Sequence, residues 1–461
     1  MKISRRHVLA TLAASSVAAV ACQPDPPEAP SGPSSPAASP SASPSALPFG
    51  LETPSRVEAV VFDGGFGTGY VRAAAGLLSD LYDGVTVLVT PTTDISGTVA
   101  DLFADGATPP DLIDNSGVGK LSVASMADDF ASLDDVVESE NLEGIPIAET
   151  LYHGVLDAGT FNGRLIAINY ALSVYGLWHS ATAFAAAGWA VPATWDTLLE
   201  LGEEARREGR YLFVWGEGAE SYYQELAITS AIKEGGHDVR RALDNLEEGC
   251  WFHPAVSGVL DQLELCVAEG FLLDGGPYLE AQERWSRDGE ALLYPSGAWI
   301  AHEMAGTASA DFAFTVAPVP TLTAAPTLPA TAIHSAPTEQ FLVPERANNP
   351  AGGKELLRIM LSQQAAADFS RTNLIPTVVR GSVPADVEST ALASQTRLLA
   401  DAGEDVFTWR FDSHYGLGQE TNNAWRGFLR AEYGAAVLAE RLQSLTDAVR
   451  NDPDIERYTV D

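Results

Sequence analysis

Several short stretches have residue types that could do chemistry, and each lacks a necessary partner. Gly65-Phe66-Gly67-Thr68-Gly69 follows an apolar strand pattern, where a glycine-rich turn could cradle a dinucleotide; counted from Gly67, however, the sixth residue is Arg72, not glycine. The lysines of Gly119-Lys120 and Gly353-Lys354 would suit a phosphate loop only with glycine at 114 and 348 and a hydroxyl residue next. The chain instead has Asp114, Asn348, Leu121 and Glu355. His302-Glu303 begins a zinc helix motif, but Gly306 stands where the second histidine is required. No G-x-S-x-G elbow and no C-x-x-C occurs. Paired carboxylates such as Asp128-Asp129, Asp134-Asp135 and Glu203-Glu204 are expected as solvated faces in so acidic a chain. These residues predict neither catalysis nor a cofactor or metal.

Aromatic side chains beside small polar ones are the remaining signal. A sugar ring packs its C–H face on Trp or Tyr, while its hydroxyl rim both donates and accepts hydrogen bonds. Candidates for such contacts are Trp215 with Glu217, Tyr222-Tyr223, Trp299, Trp409 with Arg410 and Asp412, Tyr415, and Trp425 with Asn422 and Asn423. Composition alone does not separate ligand-facing rings from core rings.

The elements that must position them alternate. Val57–Phe62 reads as a strand, Tyr70–Tyr82 as an amphipathic helix, Val85–Thr90 as a strand, Asp94–Phe103 as a helix and Asp111–Asp114 as a short buried strand. That order predicts a doubly wound α/β lobe, with ligands at the carboxyl ends of its strands, near Asp63–Tyr70 and Asp114–Ser116. Leu165–Leu177 is a long apolar extended run, and Thr194 caps a helix opening at Trp195. Helical patterns follow over 222–234, 239–246, 254–269 and 278–287, with strands at 291–294, 312–316 and 340–343 and helices over 351–369 and 422–449.

The amino terminus has a different composition. Arg5-Arg6, the apolar run Val8–Ala21 and then Cys22 read as a twin-arginine signal peptide over residues 1–21 ending in a lipobox, with Cys22 lipidated. Residues 22–50, rich in Pro, Ser and Ala, read as the lipid anchor and a disordered stalk. The body beyond is long enough for two lobes. The net charge is −35, and removing residues 1–21, which carry Lys2, Arg5 and Arg6 but no acidic residue, makes the chain more acidic still. Nucleic acid and anionic ligands are thereby disfavoured, whereas an uncharged ligand is not. Cys250 and Cys266 are expected as two buried thiols: a helix opening at Pro254 carries Cys266 about 18 Å along its axis, and a disulfide needs Cα atoms within about 7 Å.

Tyr175-Gly176-Leu177-Trp178-His179-Ser180, then Gly188-Trp189-Ala190-Val191-Pro192-Ala193-Thr194-Trp195-Asp196, resembles the family of extracellular solute-binding proteins for oligosaccharides that includes maltose-binding protein. Within that family, four stretches are similar to lipoproteins that bind N-acetylglucosamine and N,N′-diacetylchitobiose. They are Phe62-Asp63-Gly64-Gly65, Pro109–Gly117, Tyr294-Pro295-Ser296-Gly297-Ala298-Trp299-Ile300 and Lys354–Ser362. The chain departs from the pattern at His302, where Asn is more usual, and over Thr321–Ala336.

The resemblance implies a periplasmic-binding-protein-like α/β fold of two lobes, 51–168 with 313–373 and 169–312 with 374–461, joined by a hinge and closing on a ligand in the cleft. It implies that Gly65, Asn115 and Glu339 face the cleft from the first lobe, and Tyr222, Tyr223, Trp299 and Trp425 from the second. Trp299 and Trp425 would be the stacking platforms, and Asn169 lies at the hinge crossing. Trp409 and Tyr415 are added from composition and nearness to Trp425. The implied partners are a small carbohydrate and the permease subunits of an ABC importer, with the membrane reached only through the anchor and the protein a monomer. Another neutral oligosaccharide as ligand, or an exported carbohydrate-active enzyme, are the alternatives.

Overall fold

The computed structural model describes residues 47–461 apart from 65, 105, 106, 118, 119, 122, 162, 416, 454, 456, 458 and 461. The expected signal segment, Cys22, most of the expected stalk and Gly65 lie outside the described residues. The stalk expectation ran to residue 50, but Leu47 and Phe49 already pack on the core of the body, so residues 47–50 belong to the fold.

In chain order the strands are β1 (Ser55–Phe62), β2 (Val85–Thr92), β3 (Leu112–Asp114), β4 (Thr160–Phe161), β5 (Arg164–Leu165), β6 (Ala167–Val174), β7 (Gly176–Ser180), β8 (Tyr211–Glu217), β9 (Leu272–Pro277), β10 (Ala291–Ser296), β11 (Phe314–Ala317), β12 (Ile333–Leu342) and β13 (Val406–Phe407). One sheet is ordered β13-β12-β3-β1-β2, with β6 also paired to β12; the other is ordered β11-β7-β10-β8-β9. β1, β2 and β3 are parallel and connected through the helices Gly69–Leu81 and Ile95–Ala104, which is the expected doubly wound pattern. The protein is thus mixed α/β with two sheet-bearing lobes.

The crossing between sheets is short. β6 pairs antiparallel with β12 in the first sheet, β7 pairs with β10 and β11 in the second, and Tyr175 alone separates β6 from β7. The expected first-lobe segment 313–373 therefore begins too early. Phe314–Ala317 hydrogen-bonds antiparallel to Leu177–Ser180, which puts β11 in the second sheet.

Local chemistry explains most boundaries. Thr194 and Thr197 form a reciprocal capping box at the start of the helix Trp195–Arg207. The expected helix over 351–369 is two helices, Pro350–Met360 and Gln363–Asn373, because Ser362 caps the second by accepting from Ala365 N. The expected 422–449 helix likewise divides into Gly418–Leu429 and Ala435–Asn451, with Ala431 in a left-handed conformation at the break. Gly353 lets the helix Pro350–Met360 lie on β3, since a Cβ there would overlap the Asp111 carbonyl oxygen.

Lys233 is buried in the second lobe and donates from Nζ to the carbonyls of Val319 (2.6 Å) and Ala330 (2.7 Å), closing the loop between β11 and β12 against the helix Ser221–Gly235. Cys250 and Cys266 are free and buried, as expected, and burial pushes each thiol up to about 12. A thiol held neutral and out of solvent is a poor nucleophile. Both should stay unmodified by a maleimide in the native protein and react once it is unfolded. Native-state labelling of either, seen by mass spectrometry, would contradict this packing. Among the described residues no helix is long and apolar enough to cross a membrane.

Candidate functional site

Two groups of side chains gather around β6 and β12, near where β6 runs through Tyr175 into β7 of the second sheet. The first sits at the carboxyl ends of β1 and β3. Asp114 ends β3, is buried, and accepts from Ser116 Oγ (2.5 Å) and Tyr70 Oη (3.1 Å). Glu339 lies opposite on β12 with φ of 57°, a left-handed conformation that interrupts the β6–β12 register between Thr338 and Gln340. Such strain in a non-glycine residue costs on the order of 1 kcal/mol and is retained where geometry matters to function.

Burial raises the Asp114 carboxyl. Burial first, and then the Asp114 charge, raise that of Glu339 to about 8. The pair therefore holds a proton more readily in the folded chain than in the unfolded one. The stability it contributes is full below about pH 4 and is lost as the pH rises through about 8. Glu339→Gln should make the fall in unfolding free energy between about pH 5 and about pH 8 shallower by roughly 1–2 kcal/mol, read by urea unfolding at each pH. Parallel pH dependences in variant and wild type would show that Glu339 titrates normally.

Asn115 is buried beside this pair, with its side chain fully engaged. Nδ2 donates to Leu121 O (3.2 Å) and Gln340 Oε1 (2.9 Å), and Oδ1 accepts from Leu121 N (2.6 Å). It fixes the loop after β3 to β12. Asn169, on β6, pairs in register with Gln340 and donates from Nδ2 to Pro337 O (2.7 Å), while its buried Oδ1 has no hydrogen-bond partner. It lies on the strand that runs through Tyr175 into β7 of the second sheet.

The second group is aromatic. Trp299 is half-buried and donates from Nε1 to Tyr222 Oη (2.9 Å). Its ring meets Tyr222 at 5.9 Å and Tyr175 edge-on at 5.5 Å. Gly297 makes that placement possible, because a Cβ at 297 would overlap the indole. The ladder continues from Tyr175 to His334 (4.7 Å, stacked), Trp409 (5.4 Å from His334) and Phe411 (5.1 Å from Trp409). Carboxylates flank it: Glu225 Oε2 is 3.2 Å from His334 Nε2, and Asp412, raised to about 6 by burial, accepts from Thr421 Oγ1 (3.3 Å).

Three sequence expectations change here. Tyr223 is wholly buried and donates to Val214 O (3.0 Å), so it is a core residue. Trp425, expected as a platform, has no exposed surface and donates from Nε1 to Gln224 Oε1 (2.9 Å). Trp409 is buried between His334 and Phe411 and continues the ladder inward. Tyr415 packs half-buried against the same second-lobe core. Tyr175, Glu225 and His334, which lie in or beside this ladder, are not among the candidates read from the sequence. Tyr175 had one usable signal, its place between two strongly apolar runs, and the other two had none. His302 and Glu303 hold no metal-like cluster; Glu303 accepts from Gln282 Nε2 (3.2 Å), and no group of metal-ligating side chains occurs among the described residues.

Two sheet-bearing lobes joined where β6 runs into β7, with an aromatic ladder and hydrogen-bonding carboxyls around that junction, define the class of two-lobed solute-binding folds. The profile of the family described as bacterial extracellular solute-binding protein matches residues 83–367, and the chain belongs to that family. It is 47% identical over 417 residues to the diacetylchitobiose binding protein NgcE of Streptomyces coelicolor, covering 90% of this chain and 89% of that one. Its fold is similar to that of the apo form of RafE from Streptococcus pneumoniae, with a TM-score of 0.68 and 14% identity over 86% of this chain and 99% of that chain. A chitin oligosaccharide binding protein superposes with a TM-score of 0.64 and 16% identity, over the same shares of the two chains.

Proposed function

We propose that this protein captures N-acetylglucosamine or diacetylchitobiose outside the membrane and delivers it to the permease subunits of a carbohydrate ABC importer. The half-buried Trp299–Tyr222–Tyr175 group carries the reading: it offers an apolar platform for a sugar face beside carboxyls that accept from its hydroxyls. The 47% identity to a diacetylchitobiose binding protein supports the choice of ligand. In this reading the first lobe is 47–174 with 333–373 and the second is 175–332 with 374–461, apart from β13, which pairs with β12 in the first sheet. The lobes close as rigid bodies on the ligand, and the transporter recognises the closed shape. The protein binds without chemistry, acts as a monomer, leaves the cell by the twin-arginine route and is tethered through lipidated Cys22.

The test is thermal unfolding with N-acetylglucosamine, diacetylchitobiose, maltose and cellobiose in turn. A ligand at about 100 times its dissociation constant adds about 2.7 kcal/mol of stability, visible as a shift of a few degrees. A shift with an amino sugar supports the proposed ligand. A shift with a glucoside alone replaces the ligand, and no shift with any sugar removes the carbohydrate reading.

A further inference from the structure

Glu225 lies three residues after Tyr222 on the helix Ser221–Gly235, a spacing that puts both on one face. Tyr222 holds the indole of Trp299. Tyr175, edge-on to that indole, stacks on His334, and His334 Nε2 meets Glu225 Oε2 at 3.2 Å. His334 is itself fixed: it is 2% exposed on β12, and its Nδ1 lies 3.1 Å from Phe407 O. Glu225 Oε2 therefore lies against the imidazole and near Tyr175 without a hydrogen bond to satisfy it, while the side chain stays 20% exposed.

Packing alone does not account for a carboxylate in this position. Among the described residues no Lys or Arg pairs with Glu225, and its titratable neighbours include His334 and a second carboxyl, Asp412. A carboxylate so enclosed, with an acid beside it, is costly unless its acceptor sites are filled. Glutamine would fit the same space without the charge. A ring stacked on Trp299 would bring its polar rim, hydroxyl or acetamido N–H, against such an acceptor, and a charged acceptor makes the stronger bond.

We infer that Glu225 is a ligand-contacting residue that accepts an O–H or N–H from the sugar stacked on Trp299, and that His334 is its positioning residue. The inference rests on the proposed carbohydrate function. Because His334 belongs to β12, the first-sheet strand that pairs with β6, the contact also ties the ligand to a strand of the first sheet.

Calorimetric titration of diacetylchitobiose into the wild type, Glu225→Gln, Glu225→Ala, His334→Gln and the Glu225→Ala/His334→Gln double variant tests both roles, with the thermal midpoint of each ligand-free protein as the control for folding. Glu225→Ala should raise Kd about 30-fold or more and Glu225→Gln about 10-fold, with the ligand-free midpoint of Glu225→Gln within a few degrees of wild type. His334→Gln should raise Kd several-fold in the wild type and add nothing to Glu225→Ala, as expected of one coupled unit. If the alanine variant fails to fold, the glutamine variant carries the test. Wild-type affinity in Glu225→Gln and Glu225→Ala overturns the contact, and an equal His334→Gln loss in both backgrounds overturns the positioning role. A wild type that binds no sugar at all removes the carbohydrate function and this inference together.

Discussion

Trp425→Ala lowers the unfolding free energy by about 3–5 kcal/mol, the range of large-to-small changes at fully buried aromatic sites. The indole has no exposed surface and packs edge-on against Phe428 at 5.9 Å in the second-lobe core. Its removal also leaves Gln224 Oε1 without its 2.9 Å donor, a further cost because Gln224 is itself buried. Trp425→Phe should cost less, since it keeps most of the volume and loses mainly the hydrogen bond. Urea unfolding followed by far-ultraviolet circular dichroism reads the effect. A loss under about 1 kcal/mol would mean that Trp425 is not the core residue described here.

Trp299→Ala acts on affinity instead, weakening sugar binding by about 2 kcal/mol or more, roughly 30-fold. Trp299 is half-buried, its ring edge meets Tyr175, and its Nε1 is satisfied by Tyr222, so the rigid surface it offers is already in place before any ligand arrives. Stability should fall less than in Trp425→Ala, because less of the side chain is buried. Titration calorimetry of the variant separates the two effects. An affinity equal to that of the wild type would remove Trp299 from the site.

The contrast between these tryptophans explains how far the sequence could be read. Both stand among small and polar neighbours, Ser296-Gly297-Ala298-Trp299 and Asn422-Asn423-Ala424-Trp425, and composition treats them alike. What separates them is tertiary: Gly297 makes room for one ring to fold back, and the helix Ser221–Gly235 covers the other through Gln224. Tyr222 and Tyr223 show a limit that was local. Adjacent helical residues point about 100° apart, so the two phenols could not share one cleft face, and Tyr223 turned to the core.

The doubly wound first lobe was legible because each strand and helix from Ser55 to Asp114 has its own period and boundary residues. β12 was half missed. Its apolar end was read from Gln340, but His334-Ser335-Ala336-Pro337-Thr338-Glu339 has no strand pattern and contains a proline. That segment is a strand because it takes partners from both β6 and β13 within the first sheet, and no local propensity signals such a role. The candidate residues it carries, His334 and Glu339, were reached from opposite sides: Glu339 by resemblance, His334 only through its contacts with Tyr175 and Glu225.

The most direct test of the central claim is a calorimetric titration of diacetylchitobiose into the purified protein, with mass spectrometry of the sugar recovered afterwards. The account predicts saturable binding of one disaccharide per chain and recovery of the disaccharide intact. Absence of binding to diacetylchitobiose and to N-acetylglucosamine, or recovery of cleaved sugar, would contradict it.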